Sequence, residues 1–374
     1  MPAVKRVLVV GAGVCGTVLA IALKQQGVEV DILELYDEVL GVGVEFSGNT
    51  MRALEQIGLI DDFIAEGQPY SRMNVHDSAG NLLIGYDFSR AASPQYPACV
   101  AILRPKFAGA TRRRAAQLGI PLRIGMTVTE LVNEPDGVRV TLNDGSQDRY
   151  DVVVAADGAM SDMRTLLHGD RFRHKPLGQT VLRCYLPRLP EIKDELNAYG
   201  GRNVVTLVPL SRDSMYFPLS IPMDPERRFE EHELVPTVLN ELEEFTAPIF
   251  DLLRPSISKE SYIVARPITE LLLPAPWNVG RTMLIGDAAH GFAPHLGNGA
   301  GMAIEDAAVL AEVLVKHDDV ESAFAEFMQR RFDRVHMVWK NANQICRWEV
   351  EGVDPKLRSK LQRDSIETLN ATPI

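Results

Sequence analysis

Four apolar residues, Val7–Val10, run straight into the glycine spacing Gly11-x-Gly13-x-x-Gly16 within KRVLVVGAGVCG. An uninterrupted apolar, β-rich run predicts a strand buried on both faces, as in a parallel sheet. The segment TVLAIALKQQG that follows has helical spacing and stops at Gly27, a fitting helix end. A second strand, VEVDILE, closes on Glu34. Strand, helix and strand within about 30 residues make a βαβ unit. Glycines so spaced permit a tight turn, close approach of a pyrophosphate and close helix–strand packing. The helix start adds unpaired N–H groups and the positive end of a dipole. Glu34 stands where a carboxylate accepts from an adenosine ribose hydroxyl, and it would repel a 2′-phosphate. A lone glycine pattern also occurs in plain structural turns. Here strand, helix and acid are in register, which points to a dinucleotide.

The chain has 374 residues, a length that suggests two or three units at roughly 150 residues each. Its 46% hydrophobic and 24% charged content is that of a globular protein that buries a sizeable core. The formal charge of −11 disfavours nonspecific attraction to nucleic acid or an anionic membrane. Cys15, Cys99, Cys184 and Cys346 are far apart, with no CxxC pair and no zinc-type spacing, so free thiols and no metal are expected. His290 and His295 suit neither a helical ligand pair nor a metal motif. The apolar run at the start is too short for a signal or membrane segment. A soluble cytoplasmic protein, monomeric or homodimeric, with a small-molecule substrate, is the expectation.

Farther along, GVGVEFSGNTMRALEQIGL predicts a glycine-rich loop and a helix from about Asn49 to Ile57, and MNVHDSAGNLLIGYDF a hairpin around Ser78–Asn81. LRPKFAGATRRRAAQLG predicts a helix with Pro105 in its first turn. Three short strands are broken by PDG and NDG turns, the last of them, YDVVVAADG, again a buried run. From about residue 177 the pattern becomes an antiparallel sheet with one helix, VPTVLNELEEF. TMLIGDAAH restores the buried parallel strand, GAGMAIEDAAVLAEVLV is an amphipathic helix, a long helix covers Glu321 to Glu349, and the charged tail after Val353 reads as surface. The fold class is therefore α/β: a Rossmann-like dinucleotide-binding domain (1–69, 101–176 and 276–320), interleaved with an antiparallel-sheet substrate domain (70–100 and 177–275), then a C-terminal helical segment (321–374).

The later motifs bear on which dinucleotide. A buried strand delivers Asp287 to the carboxyl end of the sheet, the usual ligand edge. HLGNGAGMAIEDA then feeds a helix start, which stabilises negative charge. Such a corner suits a flavin, whose reduced ring is anionic around N1 and the C2 carbonyl, with Asp287 on a ribityl hydroxyl. A plain strand–loop–helix corner is the alternative.

Three ordered motifs together carry a resemblance that spans most of the chain: GAGVCG with Glu34; Asp157-Gly158-x-x-Ser161-x-x-Arg164 in ADGAMSDMR; and Gly286-Asp287 within GRTMLIGDAAHGFAPHLGNGAGMAIEDA. The sequence resembles the single-component FAD-dependent aromatic hydroxylases of the p-hydroxybenzoate hydroxylase fold, and in its third motif the salicylate hydroxylase branch. The resemblance implies FAD contacts from Gly11, Gly13, Val14, Cys15, Gly16, Glu34, Leu35 and Val128. It places Asp157, Gly158 and Arg164 near the pyrophosphate and the pyridine nucleotide. Arg104 of ILRPKF would contact FAD, although Phe107 stands where relatives carry Leu. Gly43 and Val44 would flank the isoalloxazine, in a loop where Gly48 replaces a common Pro. Gly286, Asp287, Pro294, Gly297, Gly299, Ala300 and Gly301 complete the flavin site, with Pro294 on its substrate side.

The resemblance also implies the reaction: NAD(P)H reduces the flavin, O₂ adds to give a C4a-hydroperoxide, and its distal oxygen attacks an electron-rich aromatic or heteroaromatic carbon, a phenolic acid being the expected type. With one dinucleotide fingerprint, NAD(P)H has no separate domain. Arg183 and Tyr185 are two apart on a predicted strand and share a face. Tyr216 and Phe217, on a neighbouring strand, point to opposite faces. Arg183 can pair a substrate carboxylate and a Tyr can hold a phenol oxygen; a solvated sheet face is the alternative. His295, next to Pro294, is a candidate for polar contact, and His290 reads as structural. Arg112–Arg114 reads as a solvated helix face, and Phe324, Phe327 and Phe332 as helix packing. Baeyer–Villiger oxidation, epoxidation, halogenation or a non-catalytic flavin-binding role would keep the same fold. Trp277, Trp339 and Trp348 do not form the halogenase Trp-x-Trp-x-Ile-Pro motif.

Overall fold

The computed structural model describes residues 4–39, 41–224 and 226–374. Five parallel strands, Arg6–Val10, Glu29–Glu34, Leu122–Ile124, Val152–Ala155 and Thr282–Leu284, make the central sheet, with Asn278–Val279 antiparallel at one edge. Across the sheet they run third, second, first, fourth, fifth in chain order. That is the doubly wound order, which reverses direction between the first and fourth strands. Val7, Leu8, Val9, Val152, Val153 and Val154 are wholly buried, as expected of strands covered on both faces.

The helices are α1 (Val14–Gln25), α2 (Gly48–Ile57), α3 (Ile60–Glu66), α4 (Arg104–Gln117), α5 (Asp162–His168), α6 (Glu231–Glu241), α7 (Pro248–Leu253), α8 (Gly299–Lys316), α9 (Val320–Val350) and α10 (Pro355–Ala371). α1 packs on α8, and α8 in turn on α2 and α9. Phe324 and Phe327 of α9 are buried in this core, the packing stripe their spacing predicts.

The second large sheet runs in the order His290–Gly291, Tyr262–Leu272, Lys175–Pro187, Ser214–Pro222, Val204–Pro209, Leu196–Gly200, Arg72–Asp77, Leu82–Asp87. Its pairs are antiparallel except Leu196–Gly200 with Arg72–Asp77, so the expected all-antiparallel sheet is in fact mixed. One face, with Leu182, Cys184, Phe217 and Leu219, is covered by α6 and α7. The single helix expected there is therefore two, α7 being a six-residue turn opened by Pro248. The other face, with Tyr185, Tyr216, Val208 and Val264, meets a small antiparallel sheet of Gly43–Phe46, Cys99–Leu103 and Gln68–Tyr70.

Two further expectations change. The three strands read before ADG are four. A meander of Val128–Glu134, Gly137–Leu142 and Gln147–Tyr150 stands apart from Val152–Ala155 in the central sheet. The chain switches sheets at Asp151, whose carboxylate accepts from the backbone N–H of Lys5 (2.7 Å) and Arg6 (2.8 Å). The charged tail is not loose surface. Asp354 caps α10 by accepting from Lys356 N–H (2.9 Å), Pro355 begins it, and Arg52 of α2 donates to the carbonyls of Asn370 (2.8 Å) and Thr372 (2.7 Å).

A buried ionic cluster joins α8 to α9. Arg331 is inaccessible to solvent and donates to Glu305 (2.6 Å) and Asp306 (2.8 Å), while Arg334 also pairs with Glu305 (2.7 Å) and His290 Nε2 lies 2.7 Å from Asp306. Burial drives the Glu305 carboxyl up, but Arg331 and Arg334 outweigh it and hold the group below the usual range. Asp306 is likewise held down, by His290 and Arg331 against its burial. Both depressions stabilise the fold above the unfolded carboxylate range near pH 4 and are lost as pH falls through the folded values. Replacing Arg331 by Met leaves two buried carboxylates short of a partner. It is expected to cost about 3–5 kcal/mol, read as a lower urea midpoint.

Candidate functional site

The glycine turn sits at the carboxyl end of the first strand, beside the end of the fourth, where the sheet reverses its order. Gly11, at φ 105°, is pressed against the Ala156 carbonyl, and Gly16 against the Gly11 carbonyl, so neither place admits a side chain. At Gly13, by contrast, an added Cβ would meet no protein atom within 4 Å. Nothing in the fold demands glycine there, and the open space leaves the backbone accessible to a ligand. Gly13 precedes α1, which has no side-chain cap and no acid in its first turn. Glu34 accepts from Ala12 N–H (2.7 Å) and Tyr36 N–H (3.0 Å), which fixes its carboxylate beside the turn. Each carboxylate oxygen has a second lone pair, so a ribose hydroxyl can still donate.

Asp157 and Gly158 follow the fourth strand directly. Asp157 Oδ2 accepts from Met163 N–H (3.0 Å), while its Oδ1 is buried without a hydrogen-bond partner among the described residues. Burial pushes this carboxyl up, against the hydrogen bonds of the loop. Ser161 caps α5 by accepting from Arg164 N–H at 2.8 Å. Arg164 is 6% exposed and donates to the carbonyls of Ala288 (3.1 Å) and Ala159 (2.9 Å). It clasps the Asp157 loop to the Gly286 loop, so its guanidinium serves backbone first.

Two residues beyond the fifth strand stands Gly286, whose N–H donates to Asp306 (3.0 Å), and Asp287 next to it is exposed. Cys15 lies at this crossing, with Sγ 3.2 Å from the Ala303 carbonyl, so its side chain packs α1 on α8. The segment 293–301 is held from three sides. Asn343 of α9 accepts from Ala293 N–H (2.8 Å), Gln362 of α10 donates to the His295 carbonyl (2.8 Å), and Asn298 donates to Ser47 (3.3 Å). His295 Nε2 pairs with Glu349 of α9 at 2.8 Å and its Nδ1 is enclosed, so the ring braces the loop from behind. Pro294 and Gly297 are the exposed points of the segment. Gly299, Ala300 and Gly301 open α8, whose first turn has no acid and no side-chain cap. Free N–H groups there favour negative charge.

Between the small sheet and the face of the large one lies a polar cluster. Tyr185 and Tyr216 are direct cross-strand partners and Arg183 is two residues along, so the three share the face. Phe217 is on the other face, as the sequence pattern predicts. Gly43 is where the ring of Tyr216 presses in; a side chain there would overlap it. Tyr216 Oη donates to Glu45 Oε1. Burial pushes the Glu45 carboxyl up, against the Tyr216 hydrogen bond and the charge of Arg183. Tyr216 is 3% exposed, and burial and Glu45 raise its hydroxyl well above the ordinary value. Arg183 makes no hydrogen bond to a described residue; desolvation and the charge of Arg104 lower its pKa, while Tyr216 and Glu45 raise it. The face is thus not solvated. Arg104 opens α4 against Gly41, and its N–H donates to the Val42 carbonyl at 2.8 Å.

The structure therefore gathers the residues in three places: the glycine turn with Glu34 and Asp157, the 286–301 loops, and the polar cluster of Gly43, Arg183, Tyr185 and Tyr216, while Val44 turns to the core face of its strand. Val14 and Leu35 border the first. Val128 is 5% exposed, its side chain in the core, and Arg164 and His295 act as braces. Glu45 is the residue the sequence pattern left unnamed. The signal was there: in GVEF, Val44 and Phe46 alternate with Gly43 and Glu45, which puts the one charge of the strand on the face opposite the core.

Fold and site together define a doubly wound dinucleotide-binding protein with an antiparallel-sheet wall across from the dinucleotide crevice. Residues 5–319 match the model of the FAD binding domain family (FAD_binding_3), and the chain belongs to that family. It is similar to 2-heptyl-3-hydroxy-4(1H)-quinolone synthase of Pseudomonas aeruginosa, 28% identical with 92% of this chain and 90% of that protein covered. It is also similar to 6-hydroxynicotinate 3-monooxygenase of Pseudomonas fluorescens, 27% identical over 95% and 98%. The crystal structure of Klebsiella pneumoniae HpxO complexed with FAD and uric acid superimposes with a TM-score of 0.82, covering 99% of this chain and 93% of that one at 23% identity. The chain is a flavoprotein oxidoreductase with the p-hydroxybenzoate hydroxylase fold. Among the described residues no helix is long and apolar enough to cross a membrane.

Two substitutions test the glycine turn. Gly13→Ala adds a methyl where no protein atom stands, so the apoprotein should melt as the parent does, while FAD affinity by fluorescence titration falls about tenfold, roughly 1.4 kcal/mol. Glu34→Ala removes a charge-assisted acceptor of about 1.5–3 kcal/mol. FAD affinity should again drop at least about tenfold; an unchanged titration would rule out a ribose contact.

Proposed function

We propose that the protein is an NAD(P)H- and O₂-dependent FAD monooxygenase that hydroxylates an aromatic or heteroaromatic small molecule between the small antiparallel sheet and the large mixed one. One observation carries the reading. Arg183, Tyr185 and Tyr216 converge with Glu45 at the strand Gly43–Phe46, which packs against α8, the helix whose uncapped start suits a flavin ring. The names of the relatives, which act on quinolone, hydroxynicotinate and other such rings, support the same class. A phenolic acid, the type suggested by the resemblance, is one member of it.

FAD fits the residues present: an open Gly13, a buried unpaired Asp157 oxygen, a fixed Glu34 and an uncapped α8. When bound, it supplies the redox chemistry and the activation of oxygen. The chain does the rest. Gly11, Gly13 and the start of α1 would seat the pyrophosphate, Glu34 the ribose, Asp287 the ribityl chain, and the start of α8 the pyrimidine edge of the ring. Pro294 and Val44 would line the ring. Tyr216, packed on Gly43, and Arg183 would orient the substrate, and the walls of the small sheet keep water out.

The purified protein should be yellow with one FAD per chain. Oxygen uptake with NADH or NADPH should rise when members of a panel of hydroxylated aromatic and heteroaromatic rings are added. Absence of FAD, or of any ring-stimulated uptake, would overturn the reading. Within it, Arg183→Lys should raise KM about tenfold, since Lys lacks the planar fork and a charged hydrogen bond is worth about 1.5–3 kcal/mol. The FAD content should stay normal.

A further inference from the structure

Glu45 has no place in the flavin site, yet it lies on the substrate side of the strand that borders it. Its side chain shares a face with Gly43, Ala101, Cys99 and Tyr70 of the small sheet. From across the cleft it receives the Tyr216 hydroxyl and feels the charge of Arg183. A carboxylate held in such a place is costly unless it is hydrogen-bonded and has work to do. Resting on the monooxygenase reading, we propose that Glu45 is the base for the substrate. It accepts the proton of a ring O–H or N–H, while Arg183 faces the oxyanion that forms.

The step balances. The O–H or N–H bond of the substrate breaks, and its proton moves to Glu45, which becomes a carboxylic acid. The electron pair stays on the substrate, conjugated into the ring, where it enriches the carbon to be hydroxylated. Arg183 offers donors that no described residue takes. This arrangement also sets the substrate class. A ring carboxylate would bring a second negative charge beside Glu45, and like charges in one enclosed site repel. A neutral ring with an acidic donor next to a carbonyl or hydroxyl oxygen, such as a hydroxypyridine or hydroxyquinoline in its lactam or enol form, gives Glu45 a donor and Arg183 an acceptor. The groups facing Glu45 are Tyr216, Arg183, Tyr70 and Cys99, with Arg104 acting on Tyr216 and Arg183. Tyr70 and Cys99 are both pushed up by burial and stay neutral. Burial also raises Glu45 itself, which makes its carboxylate a better proton acceptor.

Calorimetric titration of the holoprotein with matched pairs tests this: 2-hydroxyquinoline against quinoline-2-carboxylate, and 2-hydroxypyridine against pyridine-2-carboxylate. In at least one pair the hydroxy ring should bind at least tenfold more tightly than the carboxylate. Glu45→Gln, which keeps the shape, should erase that preference. Binding of the hydroxy ring should weaken as pH falls through the Glu45 pKa. Tyr216→Phe removes a hydrogen bond that lowers that pKa and keeps the ring against Gly43, so the half-loss point should move to higher pH. Preference for the carboxylate, parity of the two, binding of neither, or a ratio unchanged in Glu45→Gln overturns the proposal. These titrations need no turnover. If the wild type shows ring-stimulated oxygen uptake while Glu45→Gln leaves the ratio untouched, the base is wrong and the monooxygenase stands; if uptake is absent, the broader reading falls by itself.

Discussion

The placement of the Gly286 loop, the start of α8 and α2 depends on one buried charge. Arg331 enters the core from α9 and holds Glu305 and Asp306, adjacent residues of α8. Asp306 then reaches the backbone N–H of Gly286 and the ring of His290, while Glu305 reaches Asn49 Nδ2 at 2.8 Å. A single guanidinium thereby locks α8 to the end of the fifth strand on one side and to α2 on the other. Apolar residues of equal volume would fill that space with equal or better stability. They would not supply the directed hydrogen bonds that tie α8 to the Gly286 loop and to Asn49. The function of these charges is thus registration.

The same economy of position governs the cleft. The strand Gly43–Phe46 belongs to a three-stranded sheet of its own, pinned by the turn into α4 and by Ser47 and Asn49, which bond to Asn298. Its inner face is apolar core and its outer face carries Glu45. The large sheet brings Tyr216 to within hydrogen-bonding reach because Gly43 has no side chain to hold it off. Glycine here is a matter of space rather than backbone conformation, so substitution at this one place would push two sheets apart.

Much of this was legible in the residues. The βαβ unit, the Asp157 and Asp287 motifs and the pairing of Arg183 with Tyr185 on one face follow from periodicity and from the fixed geometry of strand ends. The fourth strand after the meander was not, because YDVVVA looks continuous and only the capture of the Lys5 and Arg6 amides by Asp151 shows where the chain changes sheet. α10 was hidden by its charge: its buried positions, Ile366 and Leu369, are few, and its anchoring is polar, through Asn370 and the carbonyls held by Arg52. His295 was legible as a polar group near the site. Its direction was not, since the ring turns toward Glu349 on a helix more than fifty residues away in sequence. Long-range polar contacts leave no periodic trace.

These differences separate two kinds of site chemistry in one chain. The proposed dinucleotide contacts are largely backbone, made by helix starts and by a turn whose Gly11 and Gly16 are sterically compelled, and so they are tied to the sheet order itself. The cleft is made of side chains, Glu45, Arg183, Tyr185 and Tyr216, on strands whose other faces carry the packing. Tyr216 also packs in the core between the two sheets, while alternate residues of the same strands, Phe46, Cys184 and Phe217, hold the cores behind them.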